Sequence, residues 1–262
     1  MTPDWTLHLG DCLAGLRDLA DNSVDVTITD PPYDEHTHSK GRRGQAAYDE
    51  HRRAANPRVS RKSEISRNRD LGFDAITAEQ MAAASVQLAR ITRRWSLLFC
   101  ALEMISDWRR HLESAGLQYV RTCVWHKLGS TPQFTGDRPA VAVEAIVVAH
   151  RPGRKRWNGG GKHGYYPHAI VLDRNGLESR CHMTQKPLPL MLDLVTDFSE
   201  PGEIVLDPFA GSGTTGVACR QLRRRFVGWE LNADYHAIAE RRLRGEAARI
   251  HETQTTLALE TR

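Results

Sequence analysis

Glu203-Ile204-Val205-Leu206-Asp207-Pro208-Phe209-Ala210-Gly211-Ser212-Gly213-Thr214-Thr215-Gly216 is an apolar run ending in an acid, then a glycine-rich turn, then a stretch able to start a helix. Glycine lacks a Cβ, so a ligand can approach the backbone closely at such a turn. The spacing Gly211-x-Gly213-x-x-Gly216 matches the dinucleotide fingerprint. Glu230 follows 19 residues after Gly211, at the end of the next apolar run, where an acid that holds a ribose diol belongs. On these residues alone, a nicotinamide-dependent oxidoreductase or a flavin enzyme is a full rival to any other ribose-binding protein.

The same strand-then-helix alternation runs along most of the chain. Strand-like apolar runs cover Val24 to Thr29, Trp95 to Ala101, Tyr119 to Trp125, Val143 to Ala149, Glu203 to Leu206 and Phe226 to Trp229. Helical patterns cover Ala78 to Thr92, Ile105 to Ser114, Leu188 to Phe198, Thr215 to Leu222 and Ala233 to Arg244. Strands alternating with helices predict an α/β fold, a mixed and mostly parallel sheet with helices on both faces. With 262 residues, 40% hydrophobic and 26% charged, the chain is expected to form one main domain over residues 1 to 262.

No apolar run approaches the ~20 residues that span a bilayer. The start, Met1-Thr2-Pro3-Asp4-Trp5-Thr6, has neither a basic cluster nor an apolar stretch, so a cytoplasmic protein is expected. The five cysteines (Cys12, Cys100, Cys123, Cys181, Cys219) are scattered and form no C-x-x-C pair, which favours reduced, unligated thiols over a structural zinc.

A second motif is Val24-Asp25-Val26-Thr27-Ile28-Thr29-Asp30-Pro31-Pro32-Tyr33, a buried-looking strand halted by two prolines. Proline fixes φ and has no N–H, so the pair imposes a rigid extended turn beyond the strand's carboxyl end, where open α/β sheets place ligands. Asp30 and Tyr33 are expected to project into that crevice. Asp-Pro is also a common strand-ending turn, but the four residues together are far more specific.

Asp30-Pro31-Pro32-Tyr33 resembles the catalytic signature of the DNA amino-methyltransferases, which methylate adenine N6 or cytosine N4. The resemblance implies a Rossmann-like fold dependent on S-adenosylmethionine, with Asp30, Pro31, Pro32 and Tyr33 catalytic and Asp30 also among the cofactor-binding residues. An exocyclic amino nitrogen is a poor nucleophile because its lone pair is delocalised into the ring. Acceptors for its two hydrogens, the Asp30 side chain and the Pro31 carbonyl, would localise that pair toward the methyl donor. Tyr33 would stack on the flipped base, and alignment for in-line transfer does much of the rest. No metal is required.

Asp207-Pro208-Phe209-Ala210-Gly211-Ser212-Gly213-Thr214-Thr215 is similar to the family's cofactor-binding motif, which favours S-adenosylmethionine over a dinucleotide. By that resemblance Asp207 meets the methionyl ammonium, Glu230 the ribose diol and Phe209 the cofactor itself, with Gly211, Gly213, Thr214 and Thr215 forming the turn. Phe209 can equally be packing. His182-Met183-Thr184-Gln185-Lys186-Pro187 also resembles the family, with Lys186 as partner of the methionyl carboxylate. Leu9-Gly10-Asp11-Cys12 is similar to a short acid motif that contacts the adenine, although Asp11 can as well cap a helix over Leu13 to Leu19.

The catalytic motif precedes the cofactor motif, an order that resembles the permuted beta class. Residues 34 to 72 carry ten Lys/Arg against six Asp/Glu and few large apolar residues, and read as a basic mobile loop. The stretch 151 to 181 is likewise basic and loop-like, with Trp157, Tyr165 and Tyr166 able to stack on bases or to pack a small hairpin. It stands where the resembling class keeps target recognition. Double-stranded DNA is thus the expected partner, its target base flipped out of the helix, and a homodimer is compatible with the resemblance. Asp rather than Ser at position 30 points to adenine N6, with cytosine N4 as the alternative.

Overall fold

The computed structural model describes residues 4–33, 75–130, 136–169 and 185–246. Eight strands, β1 Trp5–Leu9, β2 Val24–Thr29, β3 Thr92–Cys100, β4 Gln118–Leu128, β5 Val143–His150, β6 Tyr165–Ala169, β7 Ile204–Asp207 and β8 Arg225–Glu230, form one sheet. Its order is β1-β8-β7-β2-β3-β5-β4-β6, and β5 alone runs against its neighbours. Among the described residues six α-helices connect them: α1 Cys12–Gly15, α2 Ala78–Ile91, α3 Ile105–Ser114, α4 Leu188–Phe198, α5 Thr214–Gln221 and α6 Ala233–Arg244. This is the mixed, mostly parallel sheet with helices on both faces that the alternating pattern predicts.

Two apolar layers explain why the strands read as unbroken runs rather than alternating ones, since each successive side chain meets a covered face. Leu97, Phe99 and Ile146 face one layer with Leu190 and Leu194 of α4 and Leu243 of α6, while Leu98, Cys100 and Val147 face the other with Leu88 of α2 and Trp108 of α3. Helix ends follow local chemistry. Thr77 and Gln80 cap α2 reciprocally, and Asn232 accepts from the amides of Asp234 and Tyr235 to start α6.

Three local expectations need correction. The helix expected over Leu13 to Leu19 is one turn, α1, followed by a 3-10 turn at Leu16–Asp18. β1 and β6 escaped the apolar-run reading because both are short strands at the sheet edges, with polar residues among the apolar ones. In β6 the sequence Tyr-Tyr-Pro-His-Ala even carries a proline, tolerated because an edge strand need not donate on its free side. The 151 to 181 stretch is therefore not loop throughout. Trp157 packs toward Phe198 and Tyr166 is buried, so those two aromatics serve packing, while Tyr165 is half-exposed against His126.

Candidate active site

From β2 the chain moves to β3 on one side, while β7 leads to β8 on the other. The crevice beyond the carboxyl ends of β2 and β7 is thus a topological switch point, the usual ligand position in an open α/β sheet. Asp30 and Asp207 stand at those two strand ends, and the Thr29 hydroxyl at the end of β2 donates to Asp207 Oδ1 at 2.7 Å.

On the β7 side, the glycine turn is held by a set of hydrogen bonds. Asp207 accepts from Thr29, from the Phe209 amide at 3.1 Å and, through Oδ2, from the Thr215 hydroxyl at 2.6 Å. Burial lifts its carboxyl to about 6 despite these hydrogen bonds. Gly211 and Gly213 adopt left-handed backbone with φ of 53° and 77°, and a Cβ on Gly213 would come within 2.9 Å of Ala239. Glu230 bridges this turn to the next, accepting from the Gly211 amide at 2.8 Å and from the Asn232 amide at 2.7 Å. Its backbone carbonyl also accepts from the Gly10 amide at 2.9 Å, which brings the Gly10-Asp11-Cys12 segment to the same rim. Asp11 caps α1 through the Leu13 amide at 2.9 Å, Cys12 is buried, and Phe209 is half-buried against the α1–α3 layer. Thr214 is buried and accepts from Arg242 at 3.1 Å.

The β2 side is built differently. Lys186, just before α4, places its ammonium 2.6 Å from Asp30 Oδ2 and 3.2 Å from Glu144 Oε2, and Lys127 lies 3.1 Å from Glu144 Oε1. Asp30, Glu144, Lys127 and Lys186 balance in charge. Burial raises the Asp30 carboxyl, against the pull of Lys186, whereas Lys186 and Lys127 outweigh burial at Glu144 and hold its carboxyl down. Phe99, Tyr33 and Trp125 ring the Lys186 ammonium at 4.9, 5.8 and 5.8 Å from their centroids. Among the described residues, Asp30 Oδ1 is buried without a hydrogen-bond partner, and the Tyr33 hydroxyl lies beside the Glu144 carboxylate.

The structure therefore brings Asp30, Pro31, Pro32 and Tyr33 to one crevice with Asp207, Phe209, Gly211, Gly213, Thr214, Thr215, Glu230, Asp11 and Cys12. Lys186 also reaches that crevice, but its ammonium sits on the Asp30 side. His182, Met183 and Thr184 lie outside the described residues, as do 34 to 72 and 170 to 181. The described start of the second basic stretch sits at the opposite end of the sheet. The Arg151 amide donates to the Arg94 carbonyl and the Trp95 indole to the Arg156 carbonyl, at the beginning of β3 rather than at its Cys100 end.

Sequence reading missed Glu144 and Lys127. The signal was present for Glu144, an acid inside the apolar run Val143 to Ala149, because a charge buried in such a strand must find a partner. Lys127 gave none, since its contact with Glu144 crosses between strands β4 and β5.

A family model described as DNA methylase matches residues 24–241. A protein of Escherichia coli (strain K12) named "Putative methylase YubD" is 28% identical over 237 residues, covering 89% of this chain and 88% of that one. The type II methyltransferase M.Cfr9I of Citrobacter freundii is 32% identical over 145 residues, 49% of this chain and 45% of its own. Among solved structures, the M1.HpyAVI-SAM complex superposes with a TM-score of 0.63 at 26% identity, covering 91% of this chain and 98% of that one. The cytosine-N4-specific PvuII DNA methyltransferase shares the fold at a TM-score of 0.66 and 12% identity, with 92% of this chain and 86% of that one covered.

Proposed function

Because the chain belongs to the DNA methylase family of N6/N4 amino-methyltransferases, we propose that it transfers a methyl group from S-adenosylmethionine to adenine N6 of double-stranded DNA, with Asp30 as the acceptor that aligns the amino group. The observation that carries this reading is Asp30 Oδ1, buried at the switch point and without a hydrogen-bond partner among the described residues. A buried acceptor left without a donor is costly in a folded protein, and an incoming N–H relieves that cost.

The β7 side fits the donor. The left-handed turn at Gly211 leaves open space where a Cβ would stand, so a ligand can approach the backbone there, and Glu230 stands at the end of β8 where a ribose diol can reach its carboxylate. Asp11 and Cys12 form the adenine side of the rim, with Phe209 beside the turn. Asp207 favours the methionyl ammonium by its charge, because its oxygens are already hydrogen-bonded within the turn. Lys186, still cationic beside Asp30, offers a positive field for the methionyl carboxylate. Bound there, S-adenosylmethionine supplies an electrophilic methyl group on a sulfonium.

Asp30 Oδ1 and the Pro31 carbonyl take the two amino hydrogens and direct the nitrogen lone pair outward. The nitrogen pair forms the new N–C bond, and the C–S bonding pair stays on sulfur as a neutral thioether. The nitrogen then holds one proton too many, and Asp30 is the nearest base to receive it. A base inside a duplex cannot reach this crevice without leaving the stack, at a cost of a few kcal/mol. Tyr33 offsets part of that cost by stacking, and the basic stretch 34 to 72, which directly follows Tyr33, supplies phosphate contacts. A homodimer and a cytoplasmic setting complete the proposal.

The test is digestion of duplex DNA after incubation with the protein and methyl-labelled donor. Label in N6-methyladenine is expected. Label only in N4-methylcytosine would overturn the base assignment, and absence of any DNA label with intact donor binding would overturn the reaction.

A further inference from the structure

Lys186 is an awkward neighbour for an acceptor. An ammonium bound at 2.6 Å withdraws charge from the Asp30 carboxylate and makes it a poorer acceptor for the amino hydrogens. The structure meets that difficulty with a second acid. Glu144 lies on β5, across β3 from the end of β2, and its Oε2 stands 3.2 Å from the same ammonium. Resting on the reading above, we propose that Glu144 is a positioning residue of methyl transfer: by sharing Lys186 with Asp30, it keeps the Asp30 carboxylate able to hold the target amino group.

The geometry gives each member of the cluster a distinct part. Glu144 is buried and paired with Lys186 and Lys127, and it acts on Asp30 through Lys186. Lys127, on β4 and over the Trp125 ring at 5.1 Å, binds the other Glu144 oxygen and limits how strongly Glu144 can pull. When the base enters, the Lys186 ammonium can move toward Glu144 inside the ring of Phe99, Tyr33 and Trp125 without entering a site lacking a counter-charge. Buried charges are stable only when paired, so a shared cation between two acids is the arrangement that permits this shift at low cost.

The groups that face Asp30 are Lys186 before α4, Glu144 on β5, Lys127 on β4, Asp207 on β7, Cys100 at the end of β3 and Tyr33 on its own segment. Of these, Glu144 pushes the Asp30 carboxyl up, and Lys186 and Lys127 pull it down. The two outer members of the cluster therefore act in opposite senses on the same group.

The experiment measures kcat against pH at saturating DNA and donor for the full-length protein, for Glu144→Gln and for Lys127→Met. The Glu144→Gln variant is expected to lower kcat and to move the acid limb of the profile to lower pH, by roughly half a unit or more. Lys127→Met is expected to move that limb to higher pH, and Glu144→Asp to restore the wild-type limb. Loss of kcat in both variants with an unmoved limb, or limbs that move in the same direction, would overturn the proposal. Should Glu144→Gln fail to fold, the Lys127→Met limb decides alone, because Lys127, 19% exposed against 10% for Glu144, is the less buried of that pair. Wild-type transfer on the same DNA reports separately on the parent reading, so a failure here leaves that reading distinguishable.

Discussion

Asp207 and Asp30 end adjacent parallel strands, Asp207 buried and Asp30 partly exposed, and loss of solvent raises both carboxyls. Their surroundings divide them. Asp207 accepts three hydrogen bonds from its own protein, two from hydroxyls and one from an amide, so its geometry is complete before any ligand arrives. Asp30 has one oxygen on a lysine shared with Glu144 and the other without a partner among the described residues. A saturated acid builds a site, whereas an unsaturated one acts in it. The pair teaches that two neighbouring aspartates can be assigned opposite parts by counting donors.

The strongest way to break this comparison is Asp30→Ala. Removing an acceptor aimed at the reacting nitrogen is expected to lower kcat by roughly 10²- to 10³-fold or more, comparable with loss of an oxyanion-type donor elsewhere. Binding of S-adenosylhomocysteine, followed by calorimetry, should survive, because Asp30 contributes no hydrogen bond to the glycine turn. Retained transfer would remove Asp30 from the role given it.

Asp207→Ala should do the reverse in kind. It leaves the Thr29 and Thr215 hydroxyls and the Phe209 amide without their acceptor, and the expected loss is about 3 kcal/mol of stability together with donor binding. Thermal unfolding checks it: a Tm within a degree of wild type would show that Asp207 is not the latch its hydrogen bonds suggest.

A gentler change, Asp207→Asn, tests the charge alone. The carboxyl titrates at about 6 in the fold and near ~3.9 in an unfolded chain. A raised acid favours the folded state fully below the unfolded value, and that contribution is lost as pH rises through 6. Over this window the wild-type protein is expected to lose up to about 2 kcal/mol that Asp207→Asn does not lose. Denaturant titrations at pH 4.5 and 7 would measure it, and parallel slopes for the two proteins would refute the assignment.

Much of this was legible in the sequence, and the limits follow from what sequence can encode. The runs Val24 to Thr29 and Glu203 to Leu206 announced central strands because both faces of the sheet are covered, and the prolines after Asp30 announced where the first must stop. Gly211 and Gly213 announced their turn because only glycine takes those φ values easily. β1 and β6 did not stand out, because an edge strand is free to mix polar and apolar residues. The grouping of Lys127, Glu144, Lys186 and Asp30 was hidden for another reason: it depends on strand order, which places β5 beside β3 and β4 and so makes neighbours of residues far apart in the chain. Periodicity reports which face a residue uses, not which strand lies next to it.

The finest probe of the saturated side is Thr29→Val, the smallest change of the series. Valine keeps the β-branched shape that suits β2 and removes only the hydroxyl that joins β2 to Asp207. Asp207 Oδ1 still accepts from the Phe209 amide, so no oxygen is left bare and the expected cost is about 1 kcal/mol. For a chain of this size, that loss corresponds to a Tm lower by roughly 2–4 °C. Transfer should fall far less than with Asp30→Ala, although Thr29 and Asp30 are consecutive. If the two substitutions cost the same in kcat, the division between a side that builds and a side that acts would have to be redrawn through Thr29 itself.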